Sequence, residues 1–169
     1  YCTMMRLRLL AIALATVMSA CVHAPPTLVG IRIPSNVLIA LADIQTEFEN
    51  ETVWCLLGAV DDGGVVVVDG LWPPFTRDRT SESVQFSNCG ETARVVGWYH
   101  NHPPPPHDGT TCVRSIADEI ATESNVDYAV ELISCPTEAG PAFVWRLRHD
   151  DYDNVIKPAD YLPPDRLPR

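Results

Sequence analysis

No two of the six cysteines stand in the close C-x-x-C spacing of a structural zinc knot, so that use of cysteine is excluded. An apolar run long enough to cross a bilayer is missing too. The run Leu9 to Val17 falls short of the roughly 20 residues that a spanning helix needs. No internal repeat is visible, which excludes a solenoid. Basic charge is scarce: 12 Lys and Arg against 22 Asp and Glu leave a formal charge of -10. Such a surface repels phosphate backbones and anionic membranes, which argues against nucleic acid as a partner and weakly favours basic or neutral substrates.

What is present fits one domain. The 169 residues are 46% apolar, enough for a single core. Met5-Arg6-Leu7-Arg8 and the apolar run behind it have the basic head and short hydrophobic body of a secretory signal. The run closes on Met18-Ser19-Ala20-Cys21, which resembles the lipobox of bacterial lipoproteins, where the cysteine becomes lipidated after cleavage. The expectation is therefore an exported, membrane-anchored lipoprotein held through Cys21, with an uncleaved amino-terminal anchor as the alternative. Loss of residues 1–20 takes away Arg6 and Arg8 and no acid, so the charge of -10 becomes -12. Cys55, Cys89, Cys112 and Cys135 then remain, enough for two disulfides in an oxidising compartment with three possible connectivities. Cys55 lies in an apolar strand and reads equally well as a buried thiol.

The expected organisation is a signal over residues 1–20, a tether over 21–29, a domain over 30–149 and a proline-rich tail over 150–169. Leu28 to Ile33 reads as a first strand. Ser35 is placed to cap a helix whose apolar positions, from Val37 to Phe48, keep helical spacing up to about Asn50. Glu51 to Val60 and Val65 to Leu71 form a hairpin around Asp61-Asp62-Gly63-Gly64. Trp72 to Ser87 reads as a polar connection. Val126 to Ser134 and Pro141 to Arg148 read as two further strands, and the tail has too little apolar periodicity for a core. This order predicts an α+β or three-layer domain around a mainly antiparallel or mixed β-sheet flanked by helices.

The chemistry sits at Val95-Val96-Gly97-Trp98-Tyr99-His100-Asn101-His102-Pro103. Strand side chains alternate, so His100 and His102 project to the same side. Pro103 cannot extend the ladder, which predicts that the strand stops there and leaves both imidazoles at an exposed sheet end. Ser115 and Asp118 are three apart on a predicted helix, Ser115 to Ser124, and share a face. Two imidazoles and one carboxylate leave a fourth position for water, the plan of a catalytic zinc site. His107, in the intervening proline-rich loop, is a rival ligand whose plain alternative is solvent exposure. Glu51 opens an apolar strand, where a buried carboxylate needs a partner. Ser115 has an ordinary alternative role as the cap of its helix.

With Glu51, then His100-Asn101-His102-Pro103, then Ser115-Ile116-Ala117-Asp118, the sequence resembles the JAMM (MPN-plus, JAB domain) metalloprotease family. Gly97-Trp98-Tyr99, and Gly58 seven residues after Glu51, look like the family as well, and the resemblance covers roughly Ile31 to Arg148. The eleven residues Pro104 to Arg114 exceed the family's usual gap. The resemblance implies a cytidine-deaminase-like fold, zinc (Zn2+) held by His100, His102 and Asp118, Glu51 as general base and Ser115 as a donor to the oxyanion. It implies a hydrolase of peptide or isopeptide bonds acting on a peptide or protein conjugate. The alternative is a non-catalytic scaffold for protein binding, as in members that lack part of the motif.

Overall fold

The computed structural model describes residues 27–80, 83–87, 89, 94–103, 114–124, 128–163 and 165–167. Its centre is a hairpin of β2 (Val53–Val60) and β3 (Val65–Trp72), paired antiparallel. The turn between them is built by one carboxylate: Asp61 Oδ1 accepts the N–H groups of Gly63 at 3.0 Å and Val65 at 2.9 Å. Gly64 takes φ +80 there, a conformation that a side chain would strain.

β1 (Gly30–Arg32) lies parallel to β3 at one edge. On the other side of β2 runs β6 (Val95–Asn101), antiparallel to it, then β7 (Val130–Cys135) parallel to β6, then β8 (Ala142–Leu147) and β9 (Asn154–Ile156). The seven strands stand in the order β1-β3-β2-β6-β7-β8-β9, a mixed sheet. The ladder between β2 and β6 pairs Val53 with His100 and Leu56 with Gly97, but Leu57 with Val95. Val96 is therefore the extra residue of a bulge.

Helix α1 (Ser35–Glu47) covers one face. There Val37, Leu38, Leu41 and Ala42 join Leu56, Tyr99, Leu132, Phe143 and Leu147 in the main core. A second cluster, Val53, Cys55, Cys89 and Trp98, occupies the opposite face. Val84 and Phe86 pack on it from the small hairpin of β4 (Thr76–Arg79) and β5 (Val84–Phe86), and Ala121 packs on it from helix α2 (Ile116–Ser124). The result is the expected three-layer α+β arrangement.

Several local expectations are corrected. Ser35 is the first helical residue rather than the cap, with Pro34 in the cap position and no side-chain hydrogen bond there. The helix ends at Glu47, and β2 begins at Val53, so Glu51 precedes its strand. Trp72 to Ser87 contains β4 and β5, because Thr80 and Ser83 close a turn through both backbone and side chains. The tail is part of the fold: β9 pairs with β8, and the short helix α3 (Pro158–Tyr161) inserts Tyr161 into the core. Tyr161 donates to the Pro141 carbonyl at 2.6 Å, and its ring meets Phe143 edge-on at 5.3 Å. One buried aromatic does here what periodicity over a longer segment does elsewhere.

Candidate metal centre

Strand parity decides which way the histidines face. Tyr99 points under α1, donating to the Leu41 carbonyl at 3.2 Å, so Trp98 and His100 point to the other face. The Trp98 ring stacks on His100 with centroids 5.0 Å apart. His100 is fully buried, 0% exposed, which corrects the expectation that both imidazoles stand at an open sheet end. The parallel strand β7 and helix α2 close over it. His102 lies just beyond β6 and keeps 25% of its side chain exposed.

The backbone of His102 is fixed from two sides. Its N–H donates to the Ser134 carbonyl at 2.8 Å, and its carbonyl accepts from Gln45 Nε2 at 3.0 Å. Gln45 Oε1 in turn accepts from the Ser134 hydroxyl, whose oxygen lies 2.6 Å from the Tyr99 hydroxyl. Burial pushes the Tyr99 phenol up, against the opposing pull of Ser134, so it stays a neutral donor. This buried polar chain holds His102 to α1 and β7 at once.

Asp118 comes from the first turn of α2. Ser115 N–H donates to Asp118 Oδ2 at 2.6 Å, and Asp118 N–H donates to Ser115 Oγ at 3.2 Å, the reciprocal pairing of a capping box. The cap role of Ser115 is thus real. An oxygen that accepts in this way still has its own proton to donate.

Three side chains converge. His100 Nε2 and His102 Nε2 are 3.1 Å apart, and Asp118 places Oδ1 3.2 Å from the first and Oδ2 3.4 Å from the second. Metal–donor bonds of about 2.0 to 2.1 Å at tetrahedral angles put donor atoms about 3.3 Å apart. The two nitrogens stand near that spacing, and one oxygen of Asp118 lies close to each of them, so the three side chains can meet one ion. Burial lowers the basicity of His100 against the pull of Asp118, which keeps its imidazole neutral. Burial alone would raise the Asp118 carboxyl, but hydrogen bonds with His100 and His102 outweigh it and hold the group well below the usual carboxylate range. A neutral imidazole and an ionised carboxylate are the forms that bind metal. The site can hold a metal ion.

Glu51 faces the triad through register. Val53 pairs with His100, and the Thr52 carbonyl accepts from Asn101 N–H at 3.3 Å, so the next position sets Glu51 opposite His102, on the same face of the sheet. Asn101 extends the ladder with its side chain: Oδ1 accepts Thr52 N–H at 2.6 Å, and Nδ2 donates to the Asn50 carbonyl at 3.4 Å. Burial lifts the Glu51 carboxyl to about 7, with His102 pulling it down and Asp118 pushing it up. Both neighbours in that balance belong to the triad.

The chain is similar to a JAB1/MPN domain protein. The solved structure is that of the Archaeoglobus fulgidus protein, at 19% identity and a TM-score of 0.44, covering 70% of this chain and 89% of that one. No family model matches the sequence, and no curated protein does. Like the JAMM motif, this chain sets two histidines and an aspartate together.

His107, Cys21 and Cys112 lie outside the described residues. Cys55 and Cys89 form a disulfide across 34 residues of sequence, and Cys135 is disulfide-bonded as well. Asn101, Gln45 and Ser134 escaped the sequence reading. Asn101 stands between the two histidines, so its position offered a signal; Gln45 and Ser134 offered none, because nothing local marks a polar residue that will meet another across 89 positions.

Proposed function

We propose that the chain is a JAMM-type zinc hydrolase of peptide or isopeptide bonds. The observation that supports this reading most is the convergence of His100, His102 and Asp118 with Glu51 opposite His102 across the ladder. His100, His102 and Asp118 would hold the ion. Zinc there supplies a Lewis acid that polarises a carbonyl and acidifies water. Glu51 takes a proton from the attacking water at its carboxylate and delivers it to the leaving nitrogen, so that water is added across the C–N bond and an acid and an amine depart. The Ser115 hydroxyl donates to the oxygen of the attacked carbonyl while its oxygen caps α2.

The substrate is a peptide or protein conjugate met outside the cytoplasm, and nucleic acid is not a partner, in keeping with the formal charge of -10. The protein is exported and anchored to a membrane through lipid on Cys21. The disulfide between Cys55 and Cys89 supports an oxidising compartment.

The test compares three proteins under zinc titration and in a screen of peptides and isopeptide-linked conjugates. Wild type binds one zinc, and His102→Ala loses most of that affinity. Glu51→Gln keeps the zinc while turnover falls about 100- to 10,000-fold. Equal turnover by wild type and Glu51→Gln would sink the assigned base. Zinc binding without turnover on any conjugate would favour the protein-binding scaffold.

A further inference from the structure

Glu51 belongs to no element. It follows the end of α1 at Glu47 and precedes the start of β2 at Val53, so neither a helix nor a strand fixes its backbone. Successive N–H groups of an extended chain point to opposite edges. Thr52 turns its N–H and its carbonyl toward Asn101 on β6, so the N–H of Glu51 turns to the other edge, where β3 would be the neighbour. There β3 has already ended, its last pair with β2 being Trp72 against Cys55. The acceptor comes from another element. Glu51 N–H donates at 2.8 Å to the carbonyl of Thr80, directly after β4.

The β4–β5 hairpin that brings Thr80 there is itself well fastened. Thr80 N–H donates to the Ser83 carbonyl at 2.8 Å, and Ser83 N–H donates to Thr80 Oγ1 at 2.9 Å, which closes its turn. Phe86 of β5 stacks on Trp98 with centroids 5.9 Å apart, and Cys89, beyond β5, is bonded to Cys55 of β2. The Arg79 guanidinium lies over the Phe48 ring, 5.9 Å from its centroid, and donates to Thr76 Oγ1 at 3.2 Å. The hairpin therefore holds the Glu51 segment at two points, the amide of Glu51 and the ring three residues before it. Arg79 and Thr80 are exposed, so neither is there to fill the core.

We infer that the β4–β5 hairpin is the positioning element of Glu51, with Arg79 and Thr80 as the residues that keep its carboxylate opposite His102. The consequence for rate rests on the proposed hydrolase. A reacting group misplaced by about 1 Å can cost about 100-fold in rate. None of the three metal ligands is carried by the hairpin or by the segment that it holds, so the metal should not register the change.

Two double variants make the test. Arg79→Ala/Thr80→Gly removes the cation over Phe48 and the hydroxyl of the turn, and frees the backbone that carries the accepting carbonyl. Arg79→Lys/Thr80→Ser keeps a cation and a hydroxyl. In the metal-free protein the Glu51 amide should be protected from hydrogen exchange in wild type and in Arg79→Lys/Thr80→Ser, and should lose that protection in Arg79→Ala/Thr80→Gly. The NMR contact between the Glu51 side chain and the His102 ring should be lost with it. Zinc affinity, read against a competing chelator, should stay within a few-fold of wild type in both variants. On a conjugate that wild type cleaves, kcat should fall about 10- to 100-fold in Arg79→Ala/Thr80→Gly at an unchanged KM, and Arg79→Lys/Thr80→Ser should keep most of it.

An unprotected Glu51 amide in wild type, or wild-type kcat in a variant whose amide has lost its protection, overturns the inference. A parallel loss of zinc also overturns it, because the hairpin would then support the whole centre rather than Glu51. Should Arg79→Ala/Thr80→Gly fail to fold, Thr80→Gly alone is read by the same criteria. If wild type cleaves no conjugate, the proposed hydrolase fails, and the amide and the His102 contact decide the inference by themselves: both lost together upholds it, and a contact that outlasts the protection overturns it.

Discussion

Asn101 is the residue on which the position of Glu51, the proposed base, depends. Its carboxamide takes the place of a ladder partner for Thr52 and Asn50, and both bonds are broken by Asn101→Ala. The buried Thr52 N–H would then be unpaired, at a cost of about 1–3 kcal/mol. None of the three ligand side chains touches those bonds. Zinc affinity should therefore stay within a few-fold of wild type while turnover falls, and a parallel loss of both would assign Asn101 to the ligand strand instead. Gln45→Leu is the complementary case. It removes the donor to the His102 carbonyl and the acceptor of the Ser134 hydroxyl, so it should weaken zinc binding along with thermal stability.

Among the elements, β6 tolerates little change. A Cβ at Gly97 would run into the Val130 carbonyl on the neighbouring strand, a backbone atom that cannot step aside. Gly97→Ala should force β6 and β7 apart, costing about 1–3 kcal/mol in the manner of an overpacked core, and should lower metal affinity, because His100 is carried by β6 three residues further on. Gly30→Ala is the control, since a Cβ there meets nothing within 4 Å. The carboxyl-terminal elements carry the second prediction at this scale. A chain ending at Arg148 loses β9, which leaves the β8 edge unpaired, and loses Tyr161 from the core. Such a protein should melt at lower temperature and self-associate on gel filtration through that edge.

The strong elements were legible in the sequence because each carried its own signal. Asp61 to Gly64 announced the hairpin, and the alternation around His100 and His102 announced their shared face. The β4–β5 hairpin and β9 were missed for a common reason: they are three or four residues long, partly exposed, and kept in place by pairing rather than by apolar content. The burial of His100 was missed because Pro103 marks where β6 ends but says nothing of β7 and α2 closing over it. Glu131 and Arg114 carry no local mark of the buried ion pair that they form.

For the whole molecule, the disulfide and the metal site act as two independent constraints. Cys55 and Cys89 close a loop across a sequence separation of 34, worth about 4 kcal/mol in the chain-entropy description. Mild reduction should lower the melting temperature markedly, and the Cys55→Ala/Cys89→Ala protein should melt below wild type without reductant and lower again with it, because Cys135 is disulfide-bonded as well. Zinc at a hundredfold excess over its dissociation constant should add about 2.7 kcal/mol, seen as a rise in melting temperature that His102→Ala abolishes.

The bulge at Val96 gives the sheet something like a reading frame. Beyond it, toward the open end, the β2–β6 pairing sets Glu51 opposite His102; before it, Leu57 pairs with Val95, a frame that continued unbroken would set Glu51 opposite Asn101. Side chains alternate with period two, so that shift of one would turn the carboxylate under α1, into the layer of Leu56 and Tyr99, with the two histidines left facing the other way. A protein that kept Val96 but paired it in line with Leu56 would still spell out glutamate, two histidines and aspartate in order, and its glutamate would be on the wrong side of the sheet. In this fold a motif is complete only when the strands that carry it are in phase.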